Sequence, residues 1–170
     1  MLDAASFKQA MSRFPSGVVI ATALDGRGKP WGFTATSFAS VSLDPPLVLV
    51  CPAKTADCHG VFTAAGHFAI NILASEHEAE ARRFATRGVD KFAGDEFDVG
   101  EHALPLLRTA IASLVCRKYA QYDAGDHTLL LGEVMSVRLG PASDPVVYCR
   151  RQYWHFAKGT QELRSAWLAE

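Results

Sequence analysis

The chain has 170 residues, of which 49% are apolar and 21% charged, and its formal net charge at pH 7 is −1. These values predict one globular domain over 1–170, with a core of about 5–156 and a C-terminal tail over 157–170, and they argue against a disordered chain. A charge so near zero leaves no basic surface for nucleic acid or an anionic membrane, so we expect neither as a partner. No apolar run approaches the ~20 residues of a membrane helix.

Elements predicted in the first half of the chain are mostly strands joined by turns. Asp3 is the expected N-cap of a helix over 3–14, in which apolar residues recur at helical spacing. An Asp-Gly dipeptide indicates a hairpin after the first strand, and Pro45 and Pro46 lack amide donors, so they can stand only where a strand begins. The predicted strands of this half are 16–24, 31–42, 47–51 and 67–73.

The second half of the chain adds helices, a long loop and another hairpin. A short helix is expected over 55–65, and a second over 75–86, where Ser75 and Glu78 have the spacing of a capping box. Residues 88–104 show no periodicity, and so long a loop is often functional. The remaining predicted strands are 110–122, 128–139, 145–148 and 152–156. Because hairpin signals outnumber βαβ signals, we predict a mainly β protein, an antiparallel β-barrel with helical insertions.

The cysteine and histidine patterns give no sign of a metal or disulfide framework. No CxxC spacing connects Cys51, Cys58, Cys116 and Cys149, and the scattered histidines predict no metal site. The N-terminus lacks the apolar stretch of a secretory signal, so we expect reduced thiols and a cytoplasmic protein. The sequence also lacks GxGxxG, GxxxxGK[ST], HExxH and GxSxG, which removes several common enzyme classes.

The most informative stretch is 33–51, where small hydroxyl residues stand at positions at which a core strand would carry bulk. Small side chains let a flat ligand approach the backbone, and hydroxyls and amides can serve the polar edge of a flavin ring. A hydroxyl-rich edge strand facing water is the alternative that the pattern alone leaves open. The hydroxyl residues are Thr34, Thr36, Ser37, Ser40 and Ser42.

This stretch resembles the segment that marks the flavin reductase-like, FMN-binding split-barrel family. The similarity spans about residues 5–155 and is greatest to reductase components of two-component monooxygenases. Other segments agree in order and spacing: FKQAMSRFPSGVVIATA, GHFAINIL, RRFA, DKFAG and YDAGDHTLLLGEV. The resemblance implies a split barrel of antiparallel Greek-key type and an NAD(P)H:flavin oxidoreductase that uses FMN or FAD with NADH or NADPH. It also implies a homodimer and a transient partner, a flavin-dependent oxygenase that receives reduced flavin.

The resemblance further implies which residues hold the flavin. The loop from Cys51 to Ala56 would bind the phosphate, and there Lys54 supplies a positive charge and Thr55 the expected N-cap of a helix whose N-terminus favours anions. Asn71 would lie near the ribityl chain or the ring. The ring would be lined by Thr34, Ala35, Thr36 and Ser37. The phosphate or the adenine end of FAD would be flanked by Arg83, Phe84 and Lys91. An arginine on a polar helix face is usually only solvated, and a phenylalanine is usually core.

Two departures from the family pattern leave parts of this site open. Ala56 and Cys58 stand where relatives often carry hydroxyls, and Cys58 is either a small buried residue or a reactive thiol near a helix N-terminus. The RRQYW segment replaces a more usual Arg-Gly-Arg-Tyr pattern on the nicotinamide side.

His127 is the residue that the resemblance assigns to nicotinamide, with Tyr153 near the same pocket. An imidazole can donate to the nicotinamide amide or a phosphate and can help to manage a proton. Gly125-Asp126-His127 is also an ordinary hairpin turn, so a structural role stays open. The implied reaction is hydride transfer from nicotinamide to flavin, which needs no protein nucleophile.

Three other functions compete with this interpretation. The first is an FMN-binding split-barrel protein without nicotinamide-dependent turnover. The second is a split-barrel oxidase acting on a pyridoxal-type phosphate, which the Gly-Asp-His-Thr turn and the lack of a basic phosphate cluster argue against. The third is a purely structural or interaction protein.

Overall fold

The computed structural model describes residues 2–156, so the predicted tail over 157–170 lies outside the described residues. The helices are α1 (Ala4–Ser12), α2 (His59–Ala64) and α3 (Glu78–Ala85). The strands are β1 (Ser16–Gly17), β2 (Val19–Leu24), β3 (Pro30–Ala35), β4 (Ala39–Leu43), β5 (Pro46–Val50), β6 (His67–Ile72), β7 (Phe97–Val99), β8 (Pro105–Leu107), β9 (Ala112–Ala124), β10 (His127–Leu139), β11 (Val147–Cys149) and β12 (Gln152–Trp154). No helix within residues 2–156 is long and apolar enough to cross a bilayer.

Seven of these strands form one antiparallel sheet in the order β3-β2-β6-β9-β10-β5-β4. Its two edge strands follow each other in the chain, since β3 ends at Ala35 and β4 begins at Ala39. Four residue steps span at most ~14 Å, so the edges must approach each other and the sheet must curl. No pairing between β3 and β4 occurs in the described part of the chain, so the barrel stays split. The predicted mainly β, antiparallel architecture is confirmed.

The core explains the long apolar run of β2, because this strand is buried on both faces. On the inner face of the curled sheet, Val19 and Ala21 pack in a cluster with Phe62 and Phe68. On the opposite face, Ile20 packs in a second cluster that lies beneath α3 and the loop after it. A strand covered on both sides reads as a continuous apolar run, as residues 18–24 do.

The hydroxyl-rich segment is divided into two strands, where the sequence predicted one over 31–42. β3 and β4 are separated by residues 36–38, which pair with neither neighbour. The turn that follows contains the cis peptide Asp44–Pro45, and Pro46 begins β5, as its missing amide donor requires. The division places three small or aromatic residues at the split of the barrel, outside any strand.

Two predicted helix starts are wrong. α2 begins at His59, after turns in which the Ala56 amide donates to Ala53 and the His59 amide to Ala56, so Thr55 is not an N-cap. The predicted capping box of Ser75 with Glu78 is absent as well, because residues 75–77 form a 3₁₀ turn before α3. There the Nδ1 atom of His77 accepts from the Ala74 amide at 3.0 Å, and a buried imidazole takes over the capping.

The hairpin between β11 and β12 carries strain that a substitution can relieve. Its two loop residues, Arg150 and Arg151, have φ angles of +52° and +63°, where side chains other than Asn and Gly are disfavoured. We expect Arg151→Gly to raise the free energy of unfolding by about 1 kcal/mol, since left-handed backbone costs an L-residue about 1–2 kcal/mol. Urea denaturation measures the change. Arg13→Gly is the matched control, because Arg13 has a φ of −83° and should gain nothing; equal effects of both variants would contradict the prediction.

Candidate functional site

A groove of about 340 Å³ opens where the barrel is split. Its volume lies at the lower end of the ~300–1,000 Å³ range of ligand pockets. Nine of the predicted site residues line it: Thr34, Ala35, Thr36, Ser37, Cys51, Ala56, Phe84, Lys91 and His127. Ala53, within the predicted phosphate loop, lines it as well. Lining residues that the sequence analysis did not assign to the flavin are Phe33, Asp57, Cys58, Ala85 and Arg87.

The floor of the groove consists of small residues between the two edges of the sheet. Thr36 and Ser37 are exposed, whereas Ala35 is buried beneath them. The hydroxyl of Ser37 accepts from the Cys51 amide at 3.1 Å, which ties the end of β3 to the end of β5. A bed of small side chains is thereby held open to solvent, as a flat ring would require.

Helix α3 is held directly against β3, and this contact brings its last turn to the groove. A Cβ atom at Gly32 would lie 2.7 Å from the Phe84 ring and 2.9 Å from the Ala21 carbonyl, so only glycine lets the ring approach so closely. The Thr34 hydroxyl donates to the Ala81 carbonyl at 2.6 Å. This hydroxyl therefore anchors α3, while Phe84 forms part of the groove wall.

Two cations line the groove, and only one of them was predicted. The Lys91 ammonium donates to the carbonyls of Gly32 and Phe84 at 2.9 and 2.8 Å, which leaves one of its three protons for a ligand. Burial lowers the pKa of Lys91 from its ordinary value. Arg87, which directly follows the last turn of α3, donates to the carbonyl and the hydroxyl of Thr55 at 2.8 and 3.2 Å.

Lys54 and Thr55, the predicted phosphate contacts, face elsewhere. The Lys54 ammonium forms an ion pair with Asp123 on β9, and neither Lys54 nor Thr55 is among the residues that line the groove. The Thr55 hydroxyl accepts a hydrogen bond from the Arg87 guanidinium instead. Sequence reasoning missed Arg87, although an arginine two positions after a helix and before a glycine is a weak signal for a cation at a loop.

Three further predicted contacts lie outside the groove, which is a correction to the sequence analysis. The Asn71 side chain is fully buried: its amide donates to Ile20, and its oxygen accepts from Leu107 and Ser113. The guanidinium of Arg83 pairs with Glu96 at 3.0 Å. The ring of Tyr153 packs edge-on against Tyr148, with centroids 5.0 Å apart, and the Arg82 guanidinium lies over it. Packing within the fold accounts for all three side chains.

His127, at the first position of β10, also lines the groove. Its Nδ1 atom lies 2.7 Å from Asp126 Oδ1, and this hydrogen bond holds the pKa of Asp126 below its ordinary value. The Lys54 amide donates to the Asp126 carbonyl at 2.9 Å, so the hairpin is tied to the loop that lines the groove. With Nδ1 held by the carboxylate, Nε2 is the ring atom left for a ligand.

The thiols at the groove have the environment of packing groups. Burial raises the pKa of Cys58 and of Cys51, which keeps both as neutral thiols of low reactivity. Cys58 is 3% exposed and belongs to the inner core cluster. The structure therefore supports the small buried residue over the reactive thiol at this position.

A split antiparallel barrel with a small-residue bed, two cations and an imidazole around one groove defines a flavin-type binding domain. Residues 11–157 match the family model described as flavin reductase like domain. The chain therefore belongs to the flavin reductase-like family, and the resemblance read from its sequence is confirmed.

Individual relatives are similar over nearly the whole chain. An actinorhodin polyketide dimerase of Streptomyces coelicolor is 45% identical, over 89% of this chain and 85% of that protein. An NADH:riboflavin 5'-phosphate oxidoreductase of Streptomyces pristinaespiralis is 44% identical, over 87% and 85%. Among solved structures, the NADH:FAD oxidoreductase SgcE6 of Streptomyces globisporus, in complex with NAD and FAD fragments, superposes with a TM-score of 0.87. It is 37% identical and covers 94% of this chain and 96% of that one, which confirms the predicted split-barrel fold.

Proposed function

We propose that this chain is an NADH-dependent flavin reductase that binds FMN or FAD in the groove at the split of the barrel. The observation that carries the proposal is the groove itself, which is lined by an open bed of small residues, by two cations, Arg87 and Lys91, and by His127. The names of the two Streptomyces oxidoreductases, which give NADH as the donor and a flavin as the acceptor, support the same reaction and the use of NADH. A bound flavin supplies the acceptor for a hydride from nicotinamide.

The protein's own residues position the two reactants. Thr36 and Ser37 lie outside any strand, and their backbone amides would face the polar edge of the flavin ring. Arg87 and Lys91 would hold the phosphate, which fixes the ring along the bed. His127 would orient nicotinamide on the open face of the ring. Holding both rings in contact supplies most of the rate gain of such a reaction, because a bimolecular encounter becomes an intramolecular one.

Steady-state kinetics tests the proposal directly. The purified chain is mixed with NADH and with FMN or FAD, and the loss of absorbance at 340 nm is followed. Flavin-dependent oxidation of NADH is expected with at least one flavin. If the chain binds flavin but does not consume NADH or NADPH, it is the FMN-binding protein without turnover that the sequence analysis left open. If neither flavin binds, the groove has another ligand.

The chain is also proposed to act as a homodimer, because strands β4, β9 and β10 expose many large apolar side chains. An apolar patch of this extent is typical of a protein interface. These residues lie on β4, β9 and β10: Val41, Leu43, Tyr119, Tyr122, Met135, Val137 and Leu139. A second copy packed against these strands would bury their apolar side chains without distorting the barrel.

An aspartate in place of one of these exposed apolar side chains is expected to prevent dimer formation. Leu139 is 80% exposed in the single chain, so Leu139→Asp should fold normally but bury a charge in the interface. Light scattering after gel filtration should give the mass of a dimer for the wild type and of a monomer for the variant. Phe14→Asp is the control, because Phe14 is 70% exposed between α1 and β1, on none of these three strands. A monomeric wild type, or a dimeric Leu139→Asp variant, would contradict the proposal.

We further propose a cytoplasmic reductase that passes reduced flavin to a separate flavin-dependent oxygenase. The resemblance to reductase components of two-component monooxygenases supports this partner. The groove opens to solvent beside exposed residues such as Ser37 and Arg87, so a reduced flavin could leave without a large rearrangement. The four cysteines are free of disulfides within the described chain, which agrees with a reducing compartment.

A further inference from the structure

A cavity of about 530 Å³ lies beside α2 and shares no lining residue with the flavin groove. Residues of α2 itself line the cavity, whereas the flavin groove is lined by Asp57 and Cys58 just before that helix. Its other walls come from the hairpin between β2 and β3, the start of β6 and the segment before β8. We propose that this cavity, which we call the histidine cavity, binds a small aromatic carboxylate. The inference goes beyond flavin reduction and does not depend on it.

Two stacked imidazoles belong to the wall of the histidine cavity. The rings of His67 and His102 have centroids 3.8 Å apart, and their planes differ by 13°. Within residues 2–156 no group forms a hydrogen bond with a nitrogen atom of either ring. Because even a neutral imidazole carries one N–H donor, each ring has a donor available for a ligand.

The backbone adopts a disfavoured conformation to place His102 in this stack. His102 and Ala103 have φ angles of +55° and +58°, in the left-handed region that residues other than glycine rarely adopt. A Cβ atom at Gly100 would lie 2.5 Å from the Leu106 side chain, so the segment is held closely against β8 just before the strained pair. Strained backbone that the surrounding packing maintains is concentrated at functional sites. Here it holds an exposed imidazole against the half-buried ring of His67.

Small residues of α2 and of the turn after it leave room for a flat ring. Ala64 and Ala65 line the cavity, and a Cβ atom at Gly60 or Gly66 would meet no other atom within 4 Å. The volume falls within the ~300–1,000 Å³ range of ligand pockets. Apolar contacts for a ring come from three larger side chains: Leu24, Val61 and Leu104.

The charged groups around the His67 ring favour an anion. Burial and the positive charges of His102 and Arg117 lower the pKa of His67 from its ordinary value. Arg117 is the register partner of His67 on β9, and its guanidinium pairs with Glu133 at 2.7 Å. A carboxylate bound beside His67 would offset the positive charges, so it would raise the pKa of this imidazole and bind together with a proton.

The carboxylates of the chain near the cavity do not satisfy the imidazoles. Asp25 is the only acidic residue among those that line the cavity in the described part of the chain. Its oxygens already accept three hydrogen bonds, two from backbone amides of its own turn and one from the Trp31 indole. Glu101 precedes His102 in the chain, but it is exposed and does not line the cavity. A ligand carboxylate therefore has the free N–H groups to itself.

Titration with benzoate tests the inference, because this probe combines one ring with one carboxylate. Isothermal titration at pH 6 should give a dissociation constant of about 1 mM or less. NMR spectra should show that the ring protons of His67 and His102 shift with the same constant. Acetate, which lacks the ring, and benzyl alcohol, which lacks the charge, should each bind at least about tenfold more weakly than benzoate. The constant for benzoate should rise at least about threefold from pH 6 to pH 8, because binding takes up a proton.

Variants locate the probe and separate the shape of the cavity from its chemistry. Ala64 is exposed at the last position of α2, so Ala64→Trp should fold, fill the cavity and weaken benzoate at least about tenfold. Ala10→Trp adds the same bulk to an exposed position of α1 outside the cavity and should keep the wild-type constant. His67→Phe retains a flat ring but no nitrogen, so it should weaken benzoate about tenfold and abolish the pH dependence. If His67→Phe does not fold, His102→Asn takes its place, since asparagine tolerates left-handed backbone.

The outcomes that would overturn the inference are distinct from those that concern the flavin. The absence of saturable benzoate binding, equal affinities for benzoate and acetate, or a benzoate constant unchanged in both Ala64→Trp and His67→Phe would each overturn it. None of these results bears on the flavin groove, which is tested separately with FMN, FAD and NADH.

Discussion

Arg87→Ala is expected to raise the dissociation constant for FMN about 10- to 100-fold, whereas Lys54→Ala should change it less than about threefold. A hydrogen bond between charged groups is worth about 1.5–3 kcal/mol, and 1.4 kcal/mol is a factor of ten in affinity. Arg87 lines the groove, and its guanidinium reaches only Thr55 at the loop, so a phosphate can take it over. The Lys54 ammonium already has a partner in Asp123 on β9.

The comparison of these two variants decides whether the flavin phosphate is bound by a residue of the loop itself or by residues that the fold brings to the loop from further along the chain. The sequence assigned the phosphate to Lys54 because it stands in the loop that resembles the family motif. In the folded chain Arg87 comes from 32 positions beyond Thr55 and crosses to the same loop. Lys91 then completes the pair of cations from the segment after α3.

Isothermal titration with FMN measures both effects, and the far side of α3 supplies a control. Arg82 is exposed and pairs with Glu78 at 2.6 Å, so Arg82→Ala removes an arginine from the helix that precedes Arg87 without touching the groove. Its dissociation constant should equal that of the wild type. A weakened Lys54→Ala with an unchanged Arg87→Ala would restore the assignment read from the sequence and refute the one drawn from the structure.

What the sequence predicted well was determined by local patterns. The apolar run of β2, the Asp-Gly hairpin and the paired prolines at the start of β5 each report on backbone constraints within a few residues. The small residues at 34–37 have no local reason to be there, which is why they indicated a ligand bed. Nine predicted residues accordingly line the groove.

The features that the sequence predicted poorly depend on contacts with residues far along the chain. Asn71 reads as a polar residue in an apolar strand, and only the pairing of β6 and the position of β8 show that Ile20, Leu107 and Ser113 satisfy it. Ser75 and Glu78 have the spacing of a capping box, but in the structure the acceptor is the buried imidazole of His77, which accepts from the Ala74 amide. Spacing cannot reveal which of two competing acceptors the fold will bury.

His127→Ala is expected to lower kcat/KM for NADH about 10- to 100-fold and to change the dissociation constant for flavin less than about threefold. A decrease of about 10- to 100-fold in kcat/KM corresponds to the loss of one charge-assisted hydrogen bond. The imidazole lines the same groove as Arg87 and Lys91, and we expect its free Nε2 to contact the second reactant and not the flavin phosphate. Its Nδ1 is held at 2.7 Å by Asp126, which keeps the ring in one orientation before nicotinamide arrives.

The structural role of the turn is the competing explanation, and it predicts a different pattern. His127 also bridges to Ala53, so a variant that loosened the hairpin would disturb the loop that lines the groove and weaken flavin and NADH together. Flavin affinity is measured by fluorescence quenching without NADH, and the Michaelis constant for NADH at saturating flavin. His127→Asn retains a donor of similar reach and should recover part of kcat/KM. Equal losses of flavin affinity and NADH efficiency, with no recovery in the asparagine variant, would show that the imidazole supports the turn and does not contact nicotinamide.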